Sequence, residues 1–115
     1  MNKIRLVVNN ESKRNEKEKF FIKKELQSIL NLYAKMVSNG SWKDYSFTSG
    51  IKEVSFDVYQ RASEKPVLRI LKNLKPKYYN EKYLIKDKNG AVLKKSENLN
   101  QLISKTSWNK LKLVK

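Results

Sequence analysis

Cysteine and histidine are both absent from this 115-residue chain. Without cysteine there is no disulfide framework and no thiolate metal site, the usual state of a protein from a reducing compartment. Without histidine the chain lacks the usual general base near neutral pH and the commonest metal ligand. There are only three glycines, Gly40, Gly50 and Gly90, all in turn-like settings, so no glycine-rich phosphate loop is possible. Carboxylates are few and scattered. Asp44, Asp57 and Asp87 fall on separate elements, without metal-ligand spacing, and each reads more simply as a turn or strand-face residue. Long apolar runs are missing too. "IRLVV" near the N-terminus is too short for a signal peptide, and no segment offers the ~20 apolar residues that a membrane-spanning helix needs. These absences point to a soluble, cytoplasmic binding protein rather than an enzyme, with no cofactor and no metal.

Positive charge is what the chain has in excess. Its 22 lysines and 4 arginines face 11 acidic residues, for a net charge of +15. Twelve asparagines accompany the lysines, a bias toward A-rich codons that would raise lysine everywhere, so the distribution matters more than the total. Residues 26–60 balance three lysines against three acidic residues. Residues 61–95, equally long, set eleven basic residues against Glu64, Glu81 and Asp87, a balance of +8. Such asymmetry is the footprint of a polyanion-binding surface, although charge runs also serve simply as solvated faces.

Three regions follow from the pattern. Residues 1–19 read as a flexible basic segment, because "NNESKRNEKEK" (residues 9–19) contains no apolar residue. Residues 20–106 form one α+β domain, and residues 107–115 a C-terminal tail. Within the domain, Ile22, Leu26, Ile29, Leu30, Tyr33, Met36 and Val37 recur at helical spacing as one stripe, stopped by Asn39-Gly40, with Trp42 folding back onto it.

The period then becomes two. Tyr45 and Phe47 mark a short strand; Val54, Phe56 and Val58 mark another with one apolar and one wet face; Leu68 and Ile70 continue on a third. Tyr83 to Lys86 and the strand after Gly90 form a hairpin. A two-residue Asn89-Gly90 loop would set Ile85 opposite Lys94. A three-residue loop with Gly90 left-handed would set it opposite Leu93, the register favoured by burial of one face. Ser96 or Asn98 caps a final helix carrying Leu99, Leu102 and Ile103. The expected fold is two-layer: an antiparallel sheet of four to five strands, with an N-terminal and a C-terminal helix on one face. The other face is expected to be open, carrying Arg69, Lys86 and Lys94.

"LQSILNLYAKMVSNGSWKDY", "YQRASEKPVLRI" and "NGAVLKKSENL" together resemble a small alphaproteobacterial family described as a domain of unknown function. The resemblance spans about Phe21 to Ile103, and "RASExP" followed by "RI" is its most specific piece. Ile22 departs from the family, which places Asp there as a helix cap. The resemblance implies a bacterial, cytoplasmic, single-domain protein and brings no activity with it.

Two local features favour an anionic partner. "LKNLKPKYYNEK" arranges Lys72, Lys75, Lys77 and Lys82 around Tyr78 and Tyr79: lysines that can track phosphates and rings that can stack on unpaired bases. A solvated loop whose tyrosines cover the sheet edge is the plainer alternative. The second feature is an arginine pair in a chain that otherwise uses lysine. Arg61 and Arg69 flank one turn, with Ser63 between them, and guanidinium grips phosphate or carboxylate through two bonds where ammonium cannot. Pairing of either arginine with Asp57 or Glu64 is the competing use. Lys86, Lys94 and Lys95 complete the candidate surface. The leading expectation is nucleic acid, DNA or RNA. The alternative is an adaptor for an acidic protein, with Trp108, Leu111, Leu113 and Val114 of the tail as its docking segment.

Overall fold

Helix α1 (Lys23–Ser38) is the first element among the described residues, and it starts without a side-chain cap from Ile22. Glu25 substitutes from the third helical position: its Oε1 accepts the Ile22 backbone N–H at 2.8 Å, the returning half of a capping box. The computed structural model describes residues 18–61 and 65–108. At the other end of α1, Gly40 adopts φ +82°, and the N–H groups of Ser41 and Trp42 both reach the Met36 carbonyl. This turns the chain so that Trp42 packs against Tyr33, Phe56 and Trp108.

Five antiparallel strands follow in a meander: β1 (Asp44–Ser49), β2 (Glu53–Tyr59), β3 (Leu68–Asn73), β4 (Tyr83–Asp87) and β5 (Val92–Ser96). Helix α2 (Leu99–Lys105) closes the domain, with Asn98 as cap accepting the Gln101 N–H at 3.0 Å. The α+β architecture is the one the residue pattern predicts, at the upper end of the expected strand count. Side chains of like parity meet across the ladders: Val58 with Leu68, Phe56 with Ile70, Ile70 with Ile85. Together with Ile29, Leu32 and Met36 of α1 and Leu99 and Leu102 of α2, they form one core.

Four expectations need correction. The buried stripe of α1 runs through Glu25, Ile29, Leu32 and Met36. Leu30 and Val37 are exposed, Leu30 at 38%, and Ile22 is exposed as well; Leu26 and Tyr33 are only partly buried. The helix is thus turned by somewhat less than one ~100° residue step from the purely apolar stripe. Two contacts account for it: Leu32 lies beside Trp108 and α2, and Glu25 faces a charge inside the fold.

The second correction concerns the hairpin. Gly90 has φ +88°, and the Asp87 N–H bonds the Ala91 carbonyl, so the loop is the three-residue one. A β-bulge between Ile85 and Lys86 then absorbs one residue, and Ile85 stands opposite Lys94. Leu93 is left exposed.

Third, the face away from the helices is not simply wet. Ser55, Asp57, Leu71 and Leu84 are buried there, and Leu71 and Leu84, directly paired, lie outside the main core cluster. Fourth, the folded part reaches beyond residues 20–106, because Glu18 is ion-paired to the core and Trp108 is buried in it. The rest of the N-terminal segment and Leu111, Leu113 and Val114 of the tail lie outside the described residues.

Candidate nucleic-acid interface

Strand parity separates the predicted basic residues into three groups. Lys72 shares a face with Leu68 and Ile70 and therefore points inward, beneath α1. It is wholly buried. Its Nζ lies 2.8 Å from Glu25 Oε1, 2.5 Å from Glu18 Oε1 and 3.0 Å from the Phe20 carbonyl, so all three ammonium donors are used. Tyr83, paired with Lys72 across the ladder, donates its hydroxyl to Glu25 Oε2 in a short hydrogen bond. Burial first, then that bond and the nearby carboxylates, push the Tyr83 phenol well above its ordinary value. Lys72 Nζ and both Glu25 carboxylate oxygens find their partners within the protein. Lys72 is a structural residue, not a ligand-facing one.

The second group lies on the opposite face, at mid-sheet. Asp57 is 1% exposed and accepts from Thr48 Oγ1 at 2.6 Å and Ser55 Oγ at 2.7 Å. Arg69, directly opposite, brings its Nε to 3.4 Å from the same carboxylate. A buried carboxylate requires a countercharge, and Arg69 supplies it. That is the competing use foreseen for this arginine. Lys86, half-buried, is the neighbour of Arg69 on β4. Arg61 is exposed where the chain leaves β2. Ser63 and Glu64 lie outside the described residues. Lys94, opposite Ile85, projects on the helix side of the sheet, so Arg69, Lys86 and Lys94 do not share a face.

The third group does assemble. Lys75, Lys77, Tyr78, Tyr79 and Lys82 lie on the connection from β3 to β4, with Lys95 of β5 beside them. The loop is braced from inside. The Asn73 N–H donates to the Lys82 carbonyl at 2.7 Å, and its side-chain amide donates to the Glu81 carbonyl at 2.6 Å. A 3₁₀ turn over Tyr79–Glu81 follows, in which the Glu81 N–H returns to the Tyr78 carbonyl. Braced this way, Tyr79 is 82% exposed and Tyr78 58% exposed. Lys77 Nζ sits 5.8 Å from the Tyr78 ring centre, within cation–π range. Lys82 covers the inner Tyr83 ring at 5.5 Å. Lys95 lies 3.7 Å from Glu81, the one acidic residue of the loop. The result is a preformed edge carrying two outward rings among lysines.

Among the described residues, no group of three or more acidic side chains could hold a metal ion, and no helix is long and apolar enough to cross a membrane. The family model described as "Protein of unknown function (DUF2794)" matches residues 19–103. The chain belongs to this family. No curated protein and no solved structure matches it. The matched span takes in the two helices, the sheet and the Lys/Tyr loop, up to Ile103 of α2.

Proposed function

We propose that this protein is a non-enzymatic, cytoplasmic binding domain for single-stranded nucleic acid, engaged through the β3–β4 loop. The observation that carries the reading is the exposure of Tyr78 and Tyr79 side by side in a loop whose backbone is hydrogen-bonded into shape. A large, exposed aromatic pair gains nothing for the fold, whereas base stacking on such rings contributes about 1–3 kcal/mol per base. Lys77, against the Tyr78 ring, and Lys75, Lys82 and Lys95 on the same loop and the adjoining strand would supply the phosphate contacts. Because rings present a π-face to any base, the mode favours unpaired strands and little sequence preference.

The adaptor reading loses one of its supports, since Trp108 is buried in the core with its indole N–H on the Ile103 carbonyl at 2.9 Å. Titration of labelled single-stranded and duplex DNA and RNA at several salt concentrations tests the proposal. Single strands should bind more tightly than duplexes, with affinity falling steeply as salt rises through counterion release. Absence of binding to all four at low salt would overturn it.

A further inference from the structure

A second recess, distinct from the rings, opens between the β1–β2 hairpin and the start of the β3–β4 loop. It measures about 420 Å³, within the ~300–1,000 Å³ typical of small-molecule sites. Ile51 and Leu74 give it a predominantly apolar lining, and Ser49 and Gly50 add backbone. Its walls are fixed. The Leu74 N–H bonds the Lys52 carbonyl at 2.8 Å, and the Gly50 N–H bonds the Glu53 carbonyl at 2.9 Å. The third wall, Glu18 and Lys19, is anchored from behind by the buried Lys72.

Ile51 is 86% exposed at the rim, at a hairpin tip where a polar residue would serve the fold equally well. Two lysines at the mouth outnumber its one carboxylate among the described residues. Glu18 is committed to Lys72, while Lys19 and Lys75 stand exposed on the two sides. Among the described residues, the lining holds no ring and no side-chain amide to suit a nucleobase.

We propose that this recess binds an aliphatic carboxylate, its chain against Ile51 and Leu74 and its head group held by Lys19 and Lys75. The site is separate from the tyrosine loop and shares only Lys75 with its basic rim. Sodium decanoate below its micelle concentration is the probe, followed by amide chemical shifts of the full chain. Saturable changes confined to residues 18–19, 49–52 and 74–75 are expected. Decanol, which lacks the charge, and acetate, which lacks the chain, should each bind at least about tenfold more weakly.

Ile51→Asp should weaken decanoate by about tenfold or more while Ile51→Val retains it, and both should leave oligonucleotide affinity unchanged. Equal binding of decanol, shifts centred on another cavity, or an Ile51→Asp variant that binds decanoate normally would overturn the proposal. Co-sedimentation with phosphatidylcholine vesicles containing oleate separates a bilayer-held from a free aliphatic carboxylate, two sources of the same chemistry. Loss in Ile51→Asp places the chain in a bilayer, and its absence beside intact decanoate binding assigns the site to a free acid.

Discussion

Lys72 and Lys77 stand five residues apart in one run, LKNLKPKYYNEK, that looks uniform in composition. One is sealed under a helix, held by two carboxylates and a carbonyl. The other lies in the open over an exposed tyrosine. Strand parity makes the difference. Lys72 is still inside β3, two residues after Ile70 and on its face; by Lys77 the chain has left the sheet. Net charge therefore overstates the binding surface, because part of it is spent inside the fold. Arg69 repeats the lesson on the other face, where it neutralises Asp57.

Substitution at the two lysines should break the comparison open. Lys72→Met leaves Glu25 buried without its countercharge and should cost about 3–5 kcal/mol in urea unfolding. Pairing it with Glu25→Leu should restore only part of that loss, because the ion pair goes as a unit but the Tyr83 hydroxyl and the Ile22 N–H lose their acceptor. Lys77→Met should stay within about 0.5 kcal/mol of the parent.

Next in size is the helix face that Glu25 and Lys72 define. Leu32→Ala should cost about 2–5 kcal/mol by the same measurement, and Leu30→Ala about 1 kcal/mol or less. Reversal of that order would mean that the apolar stripe, not the observed face, packs on the sheet. On the exposed side, Tyr79→Ala should weaken single-strand affinity by about 1–3 kcal/mol in a binding titration while melting temperature holds.

The smallest effect is alkaline. Tyr83 holds its proton in the folded state above the pH at which an unfolded tyrosine loses it. Its contribution is fully present below ~pH 10 and is lost as pH rises further, by at most about 1.4 kcal/mol per pH unit. Tyr83→Phe should lack that slope. Absorbance near the tyrosinate band should show Tyr83 ionising well after the exposed tyrosines.

Much of this was legible in the residues. The period-two runs, the Gly40 and Gly90 turns and the Asn98 cap lead to the observed elements, because each rests on local sterics or hydrogen bonding. The buried cluster escapes any reading that takes lysine and glutamate as solvent-facing by type. Its signal was nevertheless present: Lys72 follows Leu68 and Ile70 in strict alternation, and Glu25 lies four residues before Ile29 and seven before Leu32. Reading periodicity without regard to residue type finds both. The hairpin register was hidden for another reason. Turn chemistry fixes the three-residue loop, but the bulge between Ile85 and Lys86 follows no local pattern. At the candidate site, exposure of the tyrosines depends on Asn73 bracing the loop, a contact that spans eight residues and leaves no pattern.

We propose that the β3–β4 loop, not the total charge, carries nucleic-acid binding. The most direct test is the slope of log affinity against log salt for a single-stranded oligonucleotide, measured on the parent and on Lys77→Met. The slope should shrink in magnitude by about 0.7, the share of one phosphate contact on a single strand, with melting temperature unchanged. An identical slope and affinity in the two proteins would contradict the account.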